Sequence, residues 1–148
     1  MNPVFENATI DDIPVLLEMV EEFYAHEGIT FDHLKSKATL AEFISNQQLG
    51  RIWLIKYKQQ LAGYCCLTLG YTLEFHGRDC FIDELYIKPP FQKMGIGSHT
   101  LSFVEEYAAN NKIKAIHLFV FNENKIATET YKKNGFVIRS GKLMVKIL

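Results

Sequence analysis

The feature that most constrains this chain is the run Gln92-Lys93-Met94-Gly95-Ile96-Gly97-Ser98. It follows the apolar stretch Phe81-Ile82-Asp83-Glu84-Leu85-Tyr86-Ile87 and leads into a helical pattern from Leu101 to Ala108. Strand, glycine-bearing turn and helix in that order leave unpaired backbone N–H groups converging at a helix start, where the helix dipole adds partial positive charge. Gly95 and Gly97 carry no side chains, so a phosphate can approach the backbone closely. The pattern predicts a phosphorylated cofactor bound at the middle of the chain.

The flanking elements follow from periodicity. A first helix is expected to begin between Thr9 and Asp12, which have capping-box spacing, with Pro14 tolerated near its start. Leu16, Val20, Phe23 and Tyr24 recur at helical spacing, and Gly28 is placed to end the helix. A second helical pattern covers residues 32–47. Residues 52–57, 61–73 and 80–87 read as strands rich in β-formers. Pro89-Pro90 stops the last of them, because proline supplies no backbone donor. A helix over 97–110, a strand over 113–121 and a short helix over 124–133 follow. Residues 136–139 and 143–147 are expected to form a final hairpin around Ser140-Gly141. This order predicts an α/β chain with a mixed sheet covered by helices, and 148 residues fit one domain, 1–148, with a real hydrophobic core.

Charge and cysteine content narrow the partners. Lys and Arg number 16 against 17 Asp and Glu, which gives no electrostatic reason to expect a nucleic acid. No apolar run reaches the length of a membrane span, and the first residues do not read as a secretory signal. Cys65, Cys66 and Cys80 lack metal-ligand spacing, so no metal is expected. Free thiols fit a reducing cytoplasm. Adjacent Cys65 and Cys66 are expected to face opposite sides of a strand.

Some thirty residues beyond the glycine turn stands Asn124-x-x-Ala127-x-x-x-Tyr131-x-Lys133-x-Gly135-Phe136. The strand ending at Ile87, the Gln92-x-x-Gly95-x-Gly97 turn and this later pattern together resemble the GCN5-related N-acetyltransferase (GNAT) superfamily, and element order and length agree over nearly the whole chain. Residues 77–87 are similar to diamine and thialysine-type members. The resemblance implies a GNAT-like acyl-CoA N-acyltransferase fold that binds acetyl-CoA. By analogy, Gln92, Lys93, Met94, Gly95, Ile96, Gly97 and Ser98 hold the pyrophosphate. Gln92 replaces the more frequent arginine, which weakens charge assistance. Leu85, Tyr86 and Ile87 match the strand that pairs with the pantetheine arm as an added strand, and Asn124 matches the asparagine that contacts it.

The same resemblance implies acetyl transfer to the primary amine of a small molecule by direct attack. Tyr131 matches the general acid at the departing sulfur, and Glu84 aligns with an acidic position suited to the base, acting directly or through water. Strand alternation allows only one of Asp83 and Glu84 to face the acceptor readily. A backbone N–H near Leu85 would polarise the acetyl carbonyl. A protein or peptide amine is the alternative acceptor, and a non-catalytic acyl-CoA sensor the alternative role. The family also makes a homodimer an expectation by analogy.

Overall fold

A computed structural model describes all 148 residues. Five strands form one sheet in the order β1-β2-β3-β4-β5. They are β1 (Val4–Asn7), β2 (Gly50–Tyr57), β3 (Gln60–Thr72), β4 (Gly77–Ile87) and β5 (Ala115–Leu118). The first four pair antiparallel, and β5 joins β4 in parallel. The helices are α1 (Ile13–Glu27), α2 (His33–Ser45), α3 (Ile96–Asn110) and α4 (Lys125–Lys133). The mixed sheet covered by helices is therefore the observed architecture.

The helix ends follow the punctuation of the sequence. Asp12 accepts from both the backbone N–H and the hydroxyl of Thr9, which closes a short 3-10 turn over Ile10–Asp12 before α1 begins at Ile13. Gly28 ends α1 at φ 70°, a conformation that glycine enters without steric cost. Asp32 caps α2 by accepting from the Lys35 N–H at 3.0 Å. Asn124 caps α4 in the same way through Ala127.

Two cores lie on opposite faces of the sheet. Under α3 sit Trp53, Ile55, Cys65, Leu67, Cys80, Ile82, Ile96, Leu101 and Val104. Under α1 and α2 sit Leu16, Met19, Val20, Ile52, Leu54, Tyr64, Cys66 and Tyr86. Each fully buried leucine among them, such as Leu16 or Leu67, contributes roughly 1.5–3 kcal/mol. Cys65 and Cys66 fall in different cores, as alternation requires, and all three cysteines are buried and free.

Three expectations are corrected. Strand β1 was not anticipated: it is four residues long and mostly exposed, so it shows no usable apolar period. The strand expected over 113–121 pairs only from Ala115 to Leu118. The final hairpin is not formed as strands: residues 136–148 have no ladder, and Val137, Ile138, Leu143, Val145 and Ile147 are exposed. The tie along this stretch is the bidentate pair of Arg139 with Glu74, at 2.7 and 3.2 Å. No helix is long and apolar enough to cross a membrane.

Candidate active site

Strand β4 positions the site because its two edges differ. On one side it pairs with β3 at every residue but Asp83, while β5 pairs with it only through Asp79, Cys80, Phe81 and Ile82. From residue 83 to residue 87 the second edge is open. Leu85, Tyr86 and Ile87 lie on that open stretch and can offer main-chain groups to an extended ligand.

At the same point the β3–β4 register slips. Cys66 faces Glu84 and Leu67 faces Ile82, so Asp83 has no partner and forms a β-bulge. The bulge breaks the simple alternation expected of Asp83 and Glu84. Before it, Cys80 and Ile82 point under α3; after it, Leu85 and Ile87 do so, while Tyr86 joins the α1 core. Glu84 is thereby turned toward α1.

There Glu84 is gripped by two phenols. Tyr24, on α1, donates to Oε1 at 2.7 Å, and Tyr64, on β3, donates to Oε2 at 2.6 Å. Burial lifts the Glu84 carboxyl above the usual carboxylate range, the two tyrosine hydrogen bonds oppose that rise, and the Asp83 charge adds to it. Both phenols are pushed above their ordinary range, chiefly by burial and then by Glu84 itself, so they remain donors at neutral pH.

Tyr131 stands on the other face. It packs in the α3 core, with its ring 5.9 Å from that of Phe136. Burial raises its phenol, with smaller effects from Cys65 and Glu27. Cys65 lies directly across the ladder from Leu85. Glu84 and Tyr131 thus occupy opposite sides of β4, on either side of its open edge.

The glycine turn ends beside that edge. Lys93 at φ 62° and Gly95 at φ 77° bend the chain into α3, and the Gln92 amide donates to the Ile87 carbonyl at 2.9 Å. Gln92 therefore braces the turn against the strand. The N–H groups of Lys93, Met94, Gly95, Ile96, Gly97 and Ser98 donate to no acceptor in the protein; the first bond of the helix is His99 N–H to the Gly95 carbonyl, at 3.1 Å. A Cβ at Gly97 would meet nothing within 4 Å. Free donors, a helix N-terminus and open space fit a diphosphate. Asn134 ties α4 to this turn by donating to Ser98 Oγ at 3.2 Å. Asn124 sits beyond β5 with its side-chain oxygen engaged in the α4 cap.

Sequence reasoning missed Tyr24 and Tyr64. Tyr24 continues the Leu16, Val20 spacing and so reads as a core residue. Tyr64 stands in an apolar strand with no local sign of a carboxylate partner. It also missed an open pocket of about 540 Å³ between α1 and the end of β4, lined by Glu22, His26, Tyr86, Lys88 and Gln92 with Pro89 and Pro90.

Comparison with known proteins places this geometry. The model of the acetyltransferase (GNAT) family matches residues 16–136. An uncharacterized N-acetyltransferase of Methanocaldococcus jannaschii is 28% identical over 156 aligned residues, covering 95% of this chain and 65% of the relative. The thialysine N-epsilon-acetyltransferase of Bos taurus is 31% identical over 75 residues, covering 51% of this chain and 44% of the relative. The chain thus spans less than two thirds of either relative's length. A predicted acetyltransferase of Clostridium acetobutylicum, solved with acetyl-CoA, superposes with a TM-score of 0.80 at 20% identity, covering 97% of this chain and 96% of its own. With the family model spanning both faces of the open strand and the glycine turn, the chain belongs to the GNAT acetyltransferase family.

Proposed function

We propose that this chain carries out the family's acetyl-CoA-dependent N-acetyl transfer on the primary amine of a small molecule, by direct attack. The observation that carries the reading is the Glu84 carboxylate, held by two phenols on one side of the open β4 edge while Tyr131 lies on the other. A protonated alkylamine, with a pKa of about 10.4 for a lysine-like group, must lose a proton before it attacks, and Glu84 is the acceptor for that proton. The cosubstrate supplies an acetyl thioester. Residues 93–98 would hold its diphosphate, and Leu85, Tyr86 and Ile87, with Asn124, its arm. As nitrogen bonds to the acetyl carbon and the carbon–sulfur bond breaks, Tyr131 holds the proton that the sulfur requires. A backbone N–H near Leu85 is suited to polarising the carbonyl.

The bovine relative is named for thialysine, a small-molecule amine, which favours this acceptor class over a peptide. Three free buried thiols support a reducing compartment such as the cytoplasm. A homodimer belongs to the same proposal and is tested by sedimentation. The decisive experiment is an amine panel with acetyl-CoA, scored by free thiol. Turnover of small amines in preference to peptides is expected. Binding of coenzyme A with no turnover of any amine or peptide would replace the enzyme with a sensor.

A further inference from the structure

A second cavity, of about 240 Å³, lies at the end of the sheet beyond the C-terminal end of α3. Strand alternation builds its floor. Trp53 on β2, Leu67 on β3 and Cys80 on β4 point under α3. The next residues of the same parity toward this end are Arg51, Leu69 and Arg78, one on each strand, and all three line the cavity. Tyr107 and Asn111 line it from α3 and the turn that follows.

Charge sets this cavity apart. The whole chain is balanced, with 16 Lys and Arg against 17 Asp and Glu, yet the lining holds two guanidiniums and no carboxylate. Neither guanidinium has a carboxylate within 4.0 Å. Arg51 donates to the carbonyls of Gln47 at 2.5 Å and Gly50 at 2.7 Å, and to Gln47 Oε1 at 3.3 Å. Those bonds orient its charge without neutralising it. Among the arginines, Arg51 and Arg139 donate side-chain hydrogen bonds and Arg78 does not. A third cation flanks Arg78: the Lys114 N–H donates to the Arg78 carbonyl at 2.7 Å, and the Lys114 side chain packs over Gly77.

A helix C-terminus attracts cations, but it does not account for this pair. The closing carbonyls of α3 are satisfied from the chain itself: Tyr107 and Ala108 accept from Asn111, Ala108 also from Ile113, and Ala109 from Lys112. Two unneutralised guanidiniums that face one cavity are matched by a ligand with two negative charges, since each fork pairs with a carboxylate or a phosphoryl group. The cavity falls below the range of about 300–1,000 Å³ usual for drug-sized ligands, so the ligand is compact. Leu69 and Ile113 give it apolar contact. The glycine turn stands at the other end of α3. From Gly95 to Asn111 the helix rises about 24 Å, about three Debye lengths at physiological salt, so the two sites can fill together.

We propose that this cavity binds a compact dianion, phosphoryl or dicarboxylate, paired with Arg51 and Arg78 and separate from the cosubstrate.

The test is calorimetry on the full chain saturated with coenzyme A, which leaves the glycine turn filled. Inorganic phosphate, succinate and acetate are the probes. One of the two dianions should bind at a single site at least about tenfold more tightly than acetate. Phosphate ahead of succinate assigns a phosphoryl ligand, and the reverse order a dicarboxylate. Arg78→Gln should weaken binding by about tenfold or more; its side chain is exposed and donates no hydrogen bond, so the fold is kept. Arg51→Lys, which keeps the charge but loses the fork, should weaken it similarly. Lys37→Gln removes one charge from α2, on the opposite face, and should change nothing. Gly95→Asp, without coenzyme A, should bind the anion as the parent does. No saturable binding tighter than about 1 mM from phosphate or succinate would overturn the proposal. So would binding that Arg78→Gln and Lys37→Gln alter equally, or that Gly95→Asp abolishes.

Discussion

Tyr24 and Glu84 lie 60 residues apart in the chain and share a 2.7 Å hydrogen bond between the end of α1 and the bulged part of β4. This contact, with its counterpart from Tyr64, fixes both oxygens of the proposed base. A carboxylate held at both oxygens has a single orientation, so under the proposed role of Glu84 each phenol would act on catalysis by orienting it.

Loss of the base should show in the pH profile. In the proposed mechanism proton uptake requires ionised Glu84, so the rate should rise with pH through its titration. Glu84→Gln should lower kcat about 100-fold and flatten that acid limb. Tyr24→Phe removes a bond that favours the charged form, so its acid limb should move to higher pH. A Tyr24→Phe limb that stays in place or moves to lower pH would break the link between them.

Stability should carry the opposite sign. Burial raises the folded-state titration of Glu84 above that of an unfolded carboxyl. Its favourable contribution is therefore full below the unfolded range and is lost as pH rises through the folded titration. Relative to the parent, the Tm of Glu84→Gln should climb as pH rises from the unfolded carboxyl range through the raised folded-state titration of Glu84, as removal of an ionised, partly buried group predicts. Differential scanning calorimetry across that range checks it; a flat difference counts against a burdened carboxylate.

Tyr131→Phe should lower kcat by about 100-fold, within the range for one general acid, while the KM for acetyl-CoA changes little. Its ring packs beside Phe136, and loss of one hydroxyl leaves that contact. Steady-state kinetics with a fast acceptor measures both constants. Unchanged kcat would take the sulfur-side proton away from Tyr131.

Gly95→Asp attacks the phosphate turn twice. Gly95 stands at φ 77°, where a side chain costs about 1–2 kcal/mol, and the new carboxylate would repel a diphosphate. A Cβ there has room, since the nearest atom is His99 Nδ1 at 3.9 Å, so the fold should survive. Calorimetry should find coenzyme A binding at least about 100-fold weaker, equivalent to about 2.7 kcal/mol. Parental affinity in a folded variant would exclude the turn as the anion site.

Gly63→Ala is the structural control. A Cβ at position 63 would sit 2.0 Å from the Tyr86 carbonyl oxygen, a backbone atom that cannot step aside alone. The β3–β4 ladder must shift, and a loss of more than about 3 kcal/mol is expected on denaturant unfolding. A Tm within a degree of the parent's would mean that the strands approach less closely than described.

Much of this was legible in the sequence because local chemistry and tertiary role coincide. Gly28, Asp32, Pro89 and the Asn134-Gly135 pair mark ends that the chain respects, and the glycine turn announces its free donors by having no side chains in the way. What was not legible depends on partners distant in sequence. The bulge at Asp83 arises from how β3 meets β4, and no residue nearby signals it. Tyr24 and Tyr64 carry the pattern of core residues, and only assembly brings their hydroxyls to one carboxylate. The hairpin expected at the end had suitable β-formers in Val137, Ile138, Val145 and Ile147, but propensity for extended structure does not supply the ladder that would make it a strand.

The unpaired Asp83 resets the parity of its strand. Upstream, even-numbered positions supply hydrocarbon beneath α3; downstream, odd-numbered positions do, and the even ones are handed to α1. Had the ladder run on unbroken, a carboxylate at position 84 would fall among aliphatic side chains and Leu85 would displace it beneath the tyrosines. A single surplus residue thus delivers the Glu84 carboxylate to one side of the sheet and leaves the Tyr131 phenol on the other.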